Sequence, residues 1–125
     1  MTEKEVNFFA NAHYVIKVKN GLTVVFLEKL ITASKKAGIY VEPRAEGYAF
    51  MPVPEAKSMG APHVRLAVWE NDMISFWVRN PYRISNLDVV GQLSGSDYIK
   101  ELRRIVLFIR DFINSNRDLL EYVHV

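Results

Sequence analysis

The chain has 125 residues, of which half are hydrophobic and 12% aromatic, and it carries 16 basic against 14 acidic side chains for a net charge of +2. That composition suits one folded domain spanning 1–125 and excludes a disordered, strongly charged chain, while the small net charge gives no sign of a dedicated polyanion binder. The absence of cysteine excludes disulfides, thiolate metal sites and a cysteine nucleophile.

The first residues place Glu3 and Glu5 ahead of the apolar positions and Lys17 and Lys19 after them, the reverse of a secretory signal's order. No apolar run approaches the roughly 20 residues that span a bilayer. The expectation is a cytoplasmic protein without a membrane partner.

Residues His13 to Lys19 alternate Tyr14, Ile16 and Val18 with Val15, Lys17 and Lys19, the pattern of a half-buried strand. Asn20-Gly21 ends it and suits a hairpin turn, which would make 22–26 a return strand. A helix from Thr23 explains more. It gathers Phe26, Leu27, Leu30, Ile31, Ala33 and Ala37 on one side, leaves Glu28, Lys29, Thr32, Lys35 and Lys36 on the other, and stops at Gly38. Val25 does not fit that stripe.

Two short β-type runs, Ile39 to Val41 and Tyr48 to Val53, are split by Pro43 and Gly47, and Pro52 to Pro62 reads as an exposed loop rich in proline and glycine. His63 to Arg83 then reads as a hairpin joined at Asn71-Asp72. Pairing Trp69 with Ile74 puts Arg65, Ala67, Trp69, Ile74, Phe76 and Val78 on one face, and Val64, Leu66, Val68, Met73, Ser75, Trp77 and Arg79 on the other. Both faces would then be apolar in part, more than two helices can cover.

Ser94 to Asn114 predicts a long helix with Ser94 or Ser96 as cap and Asp97 in its first turn. Tyr98, Ile99, Leu102, Ile105, Val106, Ile109, Phe112 and Ile113 form its core face. Leu107 and Phe108 fall outside that stripe. A shorter helix from Asn116 to Tyr122 follows, with Arg117 and Glu121 spaced as an i, i+4 pair. The predicted fold is α+β: an antiparallel sheet of four to five strands packed by a helix in the N-terminal half and a long C-terminal helix.

Chemical signatures are sparse. His13, His63 and His124 are scattered and read as surface or turn residues, so no metal or cofactor is expected. No serine sits in a nucleophile turn, and the carboxylate pairs Glu42/Glu46, Glu70/Asp72 and Asp97/Glu101 fall in turns or at a helix start, where acids serve solubility and the dipole. GQLSGS, Gly91 to Ser96, leads into a helix but lacks the lysine of a nucleotide-binding loop.

The stronger candidates are arginines beside aromatics. Arg65, Trp69, Arg79, Tyr82 and Arg83 suit contact with a protein or a nucleic acid, joined by Trp77 and by Arg44, Tyr48 and Phe50 on a neighbouring strand; Phe76 and one tryptophan are expected to fill the core. Leu107 and Phe108 suit an oligomer contact. The sequence therefore predicts a non-enzymatic binding or adaptor protein acting through protein–protein contact as a homo-oligomer. The alternative is a nucleic-acid-contacting protein or a small inhibitor of a nucleic-acid enzyme.

Overall fold

A computed structural model describes residues 14–52, 63–79 and 96–124. Among the described residues the architecture is α+β, with an antiparallel sheet and two helices. The elements are β1 (Tyr14–Val18), α1 (Thr23–Lys36), β2 (Tyr40–Pro43), β3 (Gly47–Met51), β4 (His63–Trp69), β5 (Met73–Arg79), α2 (Ser96–Ser115), a 3-10 turn (Arg117–Leu119) and β6 (Leu120–His124). The six strands lie in the order β2-β3-β4-β5-β1-β6, and every pair is antiparallel.

The sheet has one strand more than expected, because the chain after α2 does not form a second helix. After the 3-10 turn, Leu120–His124 pairs with β1, matching Ile16 to Val123 and Lys17 to Tyr122, with a bulge before Val18 meets Leu120. Extended pairing buries Leu120 against the core, which outweighs the weak i, i+4 pairing of Arg117 with Glu121 in an isolated turn.

The central hairpin differs from expectation by one residue, with a large consequence. Trp69 pairs with Met73, not with Ile74, so Glu70, Asn71 and Asp72 form a three-residue loop. All even-numbered hairpin residues then share a face. Val64, Leu66, Val68, Ile74, Phe76 and Val78 join Tyr14, Ile16, Val18, Tyr48 and Phe50 beneath the helices, where Phe26, Leu30, Leu102, Ile105, Val106, Ile109 and Ile113 pack on them. Because a one-residue slip turns a strand over, this register is the one that buries every apolar residue of the hairpin's even set together. The outer face keeps Trp69, Met73, Trp77, Val15 and Met51, so both faces of the sheet carry apolar groups, as the sequence predicts, though divided differently.

Helix α1 starts at Thr23, and the Asn20-Gly21 pair forms a tight turn rather than a hairpin. The Leu22 N–H donates to the Lys19 carbonyl at 2.9 Å, with Gly21 at φ +81°. Leu22 brings no side-chain cap. The β4–β5 turn ties down the start of the helix instead: the Thr23 hydroxyl donates to Asp72 at 2.6 Å and the Gly21 N–H to the same carboxylate at 3.4 Å. At the other end Gly38, at φ +78°, makes the left-handed C-terminal turn, its N–H reaching Lys35 O at 3.1 Å while that of Ile39 reaches Ser34 O at 3.0 Å. Val24 and Val25 stay exposed.

Helix α2 buries Leu102, Ile105, Val106, Ile109 and Ile113, as its periodicity predicts. Phe112 meets Phe26 edge to face at 5.4 Å, and the Arg104 guanidinium donates to the Ala37 carbonyl at 2.8 Å, tying the long helix to the end of the short one. Tyr82, Arg83, the Pro/Gly-rich segment 53–62, the GQLSGS segment ahead of Ser96 and the side chain of Asp97 lie outside the described residues.

Two outcomes follow from this packing. A Cβ on Gly47 would be driven into the backbone carbonyl of Leu66, so Gly47→Ala should destabilise the fold by about 2–4 kcal/mol, read as a fall in the urea midpoint with unchanged slope. Asp72 is held below the usual carboxylate range, first by the Thr23 hydrogen bond and then by the Gly21 N–H and the Lys17 charge, with desolvation opposing. A depressed folded pKa means that the unfolded chain binds the proton more readily, so the stabilisation is complete above the unfolded value of roughly 3.9 and is lost as pH falls through the folded one. Asp72→Asn should lower the melting temperature at neutral pH and flatten its decline in acid.

Candidate binding surface on the outer face of the sheet

The odd-numbered residues of the hairpin face away from both helices. Strand pairing aligns them in rows across the sheet. Trp69, Met73, Lys17 and Tyr122 form one row over β4, β5, β1 and β6. Glu42, Ala49, Arg65 and Trp77 form another over β2 to β5. Between them runs a line of smaller side chains, Gly47, Ala67, Ser75 and Val15.

The corrected register brings Arg65, Trp69 and Arg79 onto one face, together with Trp77. In the sequence reading Arg79 and Trp77 stood opposite Arg65 and Trp69. Phe76 is fully buried under the helices, as expected, but neither tryptophan joins the core cluster. Tyr48 and Phe50 belong to the helix-covered side and leave the candidate set.

Trp69 is 53% exposed, and its indole N–H donates to the Ser75 hydroxyl at 2.7 Å. That bond fixes the ring by its polar edge and leaves much of its apolar surface in water. At the far end of the row Tyr122 is 48% exposed, its hydroxyl 3.4 Å from the Met73 sulfur. Lys17 is committed to the Asn71 carbonyl. Neither Lys17 nor Tyr122 stands out in the sequence, because β6 pairs with β1 across a hundred residues.

At the other row the Arg65 guanidinium lies over the Trp77 ring, 5.9 Å from its centroid. Its Nε–H is buried with no acceptor. Burial, then the charges of Arg44 and Arg79, lower the Arg65 pKa from its ordinary value, and Glu46 works in the opposite direction. Arg44 is paired with Glu42. Three guanidiniums therefore act on one region of the face.

His63 begins β4 on this side opposite Arg79 and is buried, unlike the surface histidine expected. Among the described residues no group of three or more His, Asp or Glu side chains is arranged to hold a metal. No helix among them is long and apolar enough to cross a membrane.

On the opposite side of the molecule, Leu107 is 37% exposed, while Phe108 is half-buried and packs against the core rather than standing free. The two line an open, shallow depression with Lys100, Arg103, Arg104 and Asp111.

Comparison of the chain with family models, with curated proteins and with solved structures finds no match.

The indole bond yields one local expectation. Ser75→Ala removes the acceptor of a partly exposed N–H that water can satisfy, so stability should fall by less than about 1 kcal/mol while Trp69 loses its fixed orientation. Time-resolved anisotropy of Trp69, read in a Trp77→Phe background, should show faster local motion.

Proposed function

We propose that this chain is a small non-enzymatic binding protein that contacts another protein through the outer face of its sheet and associates with itself through α2. The observation that carries the reading is the gathering of Trp69, Trp77, Arg65, Arg79 and Tyr122 on the sheet face that neither described helix covers. Trp, Tyr and Arg supply most of the energy at protein interfaces, because they bury large areas with few rotatable bonds and retain polar groups for direction. Trp69 fits that role best, being fixed at one edge and exposed over the rest.

A single-stranded nucleic acid is the competing partner, favoured by Arg65 and Arg79, which form no ion pair among the described residues. It fits less well. Stacking on Trp77 is blocked by the Arg65 guanidinium, which leaves only Trp69 and Tyr122, in the other row, as open aromatic surface for bases.

Self-association is supported by charge placement on α2. Arg103 and Asp111 lie four residues on either side of Leu107. An antiparallel two-fold contact centred on Leu107 would set each Arg103 against Asp111 of the other copy, making the same ion pair twice.

Light scattering after size exclusion should report a dimer at micromolar protein and a monomer for Leu107→Glu and for Arg103→Asp. The Arg103→Asp/Asp111→Arg double variant should restore the dimer; a monomeric wild type ends the self-association reading. For the outer face, capture from the native host should fall at least about tenfold in Trp69→Ala and Tyr122→Ala and remain in Leu107→Glu. Capture indifferent to Trp69, or abolished by nuclease, would count against a protein partner.

A further inference from the structure

We propose that Arg44, Arg65 and Arg79 together form a seat for the carboxylate of an acidic protein segment. The proposal rests on the protein-contact reading above and names the chemistry of its partner. Arg65 is the centre. It lies between Ala49 and Trp77 in its row, so one neighbour is too small to cover it and the other is the aromatic plane on which it rests. Arg79 follows Trp77 by two residues on the same face of β5, diagonal to Arg65. Arg44 leaves β2 just beyond the Glu42 that pairs with Ala49, and it is turned toward Glu42 by their ion pair.

Among the described residues the charged groups acting on this region are the guanidiniums of Arg44, Arg65 and Arg79 and the carboxylates of Glu42 and Glu46, beside the buried His63, and this predominance of cations favours an anionic occupant. Arg65 and Arg79 have no carboxylate partner of their own among the described residues, so like charges are held together without being neutralised. The Arg65 Nε–H is buried and without an acceptor, so it reports on a carboxylate held at the same guanidinium rather than meeting it from solvent. Stacking on Trp77 fixes the plane of the guanidinium, and a planar fork of N–H donors matches the two oxygens of a carboxylate.

A phosphodiester is also a monoanion, but a nucleic-acid strand brings a series of them with bases between. The Trp77 plane is occupied, and the cation of the other row, Lys17, already donates to the Asn71 carbonyl. A carboxylate needs only the one seat that is built.

The test uses the full chain and follows the Arg65 Nε–Hε cross-peak in proton–nitrogen spectra, assigned by its loss in Arg65→Lys. Poly-L-glutamate is titrated in at low salt, and an oligothymidylate of about ten nucleotides in parallel. Poly-L-glutamate should shift the cross-peak saturably. Arg79→Gln, a surface change that leaves the fold intact, should weaken that response about tenfold, and Lys100→Gln should not alter it. A cross-peak that ignores poly-L-glutamate, an Arg79→Gln response equal to wild type, or tighter binding of the oligothymidylate overturns the seat. Trp69→Ala should leave the cross-peak response in place. A lost seat with Trp69-dependent capture intact therefore means that the carboxylate proposal alone has failed.

Discussion

Asp72 closes the turn between β4 and β5, and the division of the sheet into two chemically different faces depends on that closure. Asn71 and Asp72 both adopt the left-handed backbone region at φ 60°, which costs a non-glycine residue on the order of 1 kcal/mol each. The turn is held there from several sides. Lys17 donates to the Asn71 carbonyl, the Val18 N–H donates to the Asp72 carbonyl at 2.9 Å, and the Asp72 carboxylate takes the Thr23 hydroxyl and the Gly21 N–H. The loop length is thus set jointly by the end of β1 and the start of α1. One more residue in the loop would turn β5 over and put Ile74, Phe76 and Val78 in water, at roughly 1.5–3 kcal/mol per side chain. A domain with about 5–15 kcal/mol of total stability does not absorb that.

With the even-numbered apolar set gathered under the helices, the other face receives arginines, tryptophans, a lysine, a tyrosine, small residues and the apolar Val15, Met51 and Met73. Such a face is not an incomplete core. Arg65 lays its charged plane on Trp77, and the Trp69 indole is satisfied by Ser75, so its groups are ordered before any partner arrives. Order of this kind lowers the entropic cost of binding, because the side chains that make contact have fewer rotamers to lose. The placement of Arg44 and Arg79 near Arg65 works against folding, since their charges lower its affinity for its own proton. Two arginines without a carboxylate partner among the described residues, one of them fixed on an aromatic ring, are better suited to a ligand than to stability.

The local signals were readable. The alternation in β1, the stripes of α1 and α2, the glycine stop at Gly38 and the existence of the central hairpin all follow from patterns within a few turns or one strand. Arg65, Trp69 and Arg79 could be singled out by residue type alone. What the residues could not convey was which of them share a face. Asn71-Asp72 suits a two-residue turn as well as a three-residue one, and only burial of the whole even-numbered set decides between them. β6 failed for a related reason: Leu120–His124 becomes a strand because β1 offers it an edge, and that edge is a hundred residues away in the chain. Lys17 and Tyr122 entered the surface through the same distant pairing.

The two described helices cover one side of the sheet, so the exposed side of α2 and the outer sheet face point in opposite directions. A contact at either leaves the other free. Two copies joined antiparallel along α2 would carry their sheets outward, each presenting its Trp69 row and its arginine group to separate surroundings. Two identical faces on one particle raise the effective concentration of the second contact once the first is made, by an amount set by how far apart the target segments are tethered. A weak seat for one carboxylate then gains from repetition, and a partner with several acidic segments would be held more firmly than one with a single segment. The basic character of the helical side, with Lys100, Arg103 and Arg104 around Leu107, limits how tightly the two copies join, offset by the Arg104–Glu101 pair within each copy and the Arg103–Asp111 pairs between them. Salt screens the Arg103–Asp111 attraction and the repulsion between the two basic faces alike, so the balance between them sets how the association, and the gain from two faces, respond to ionic strength.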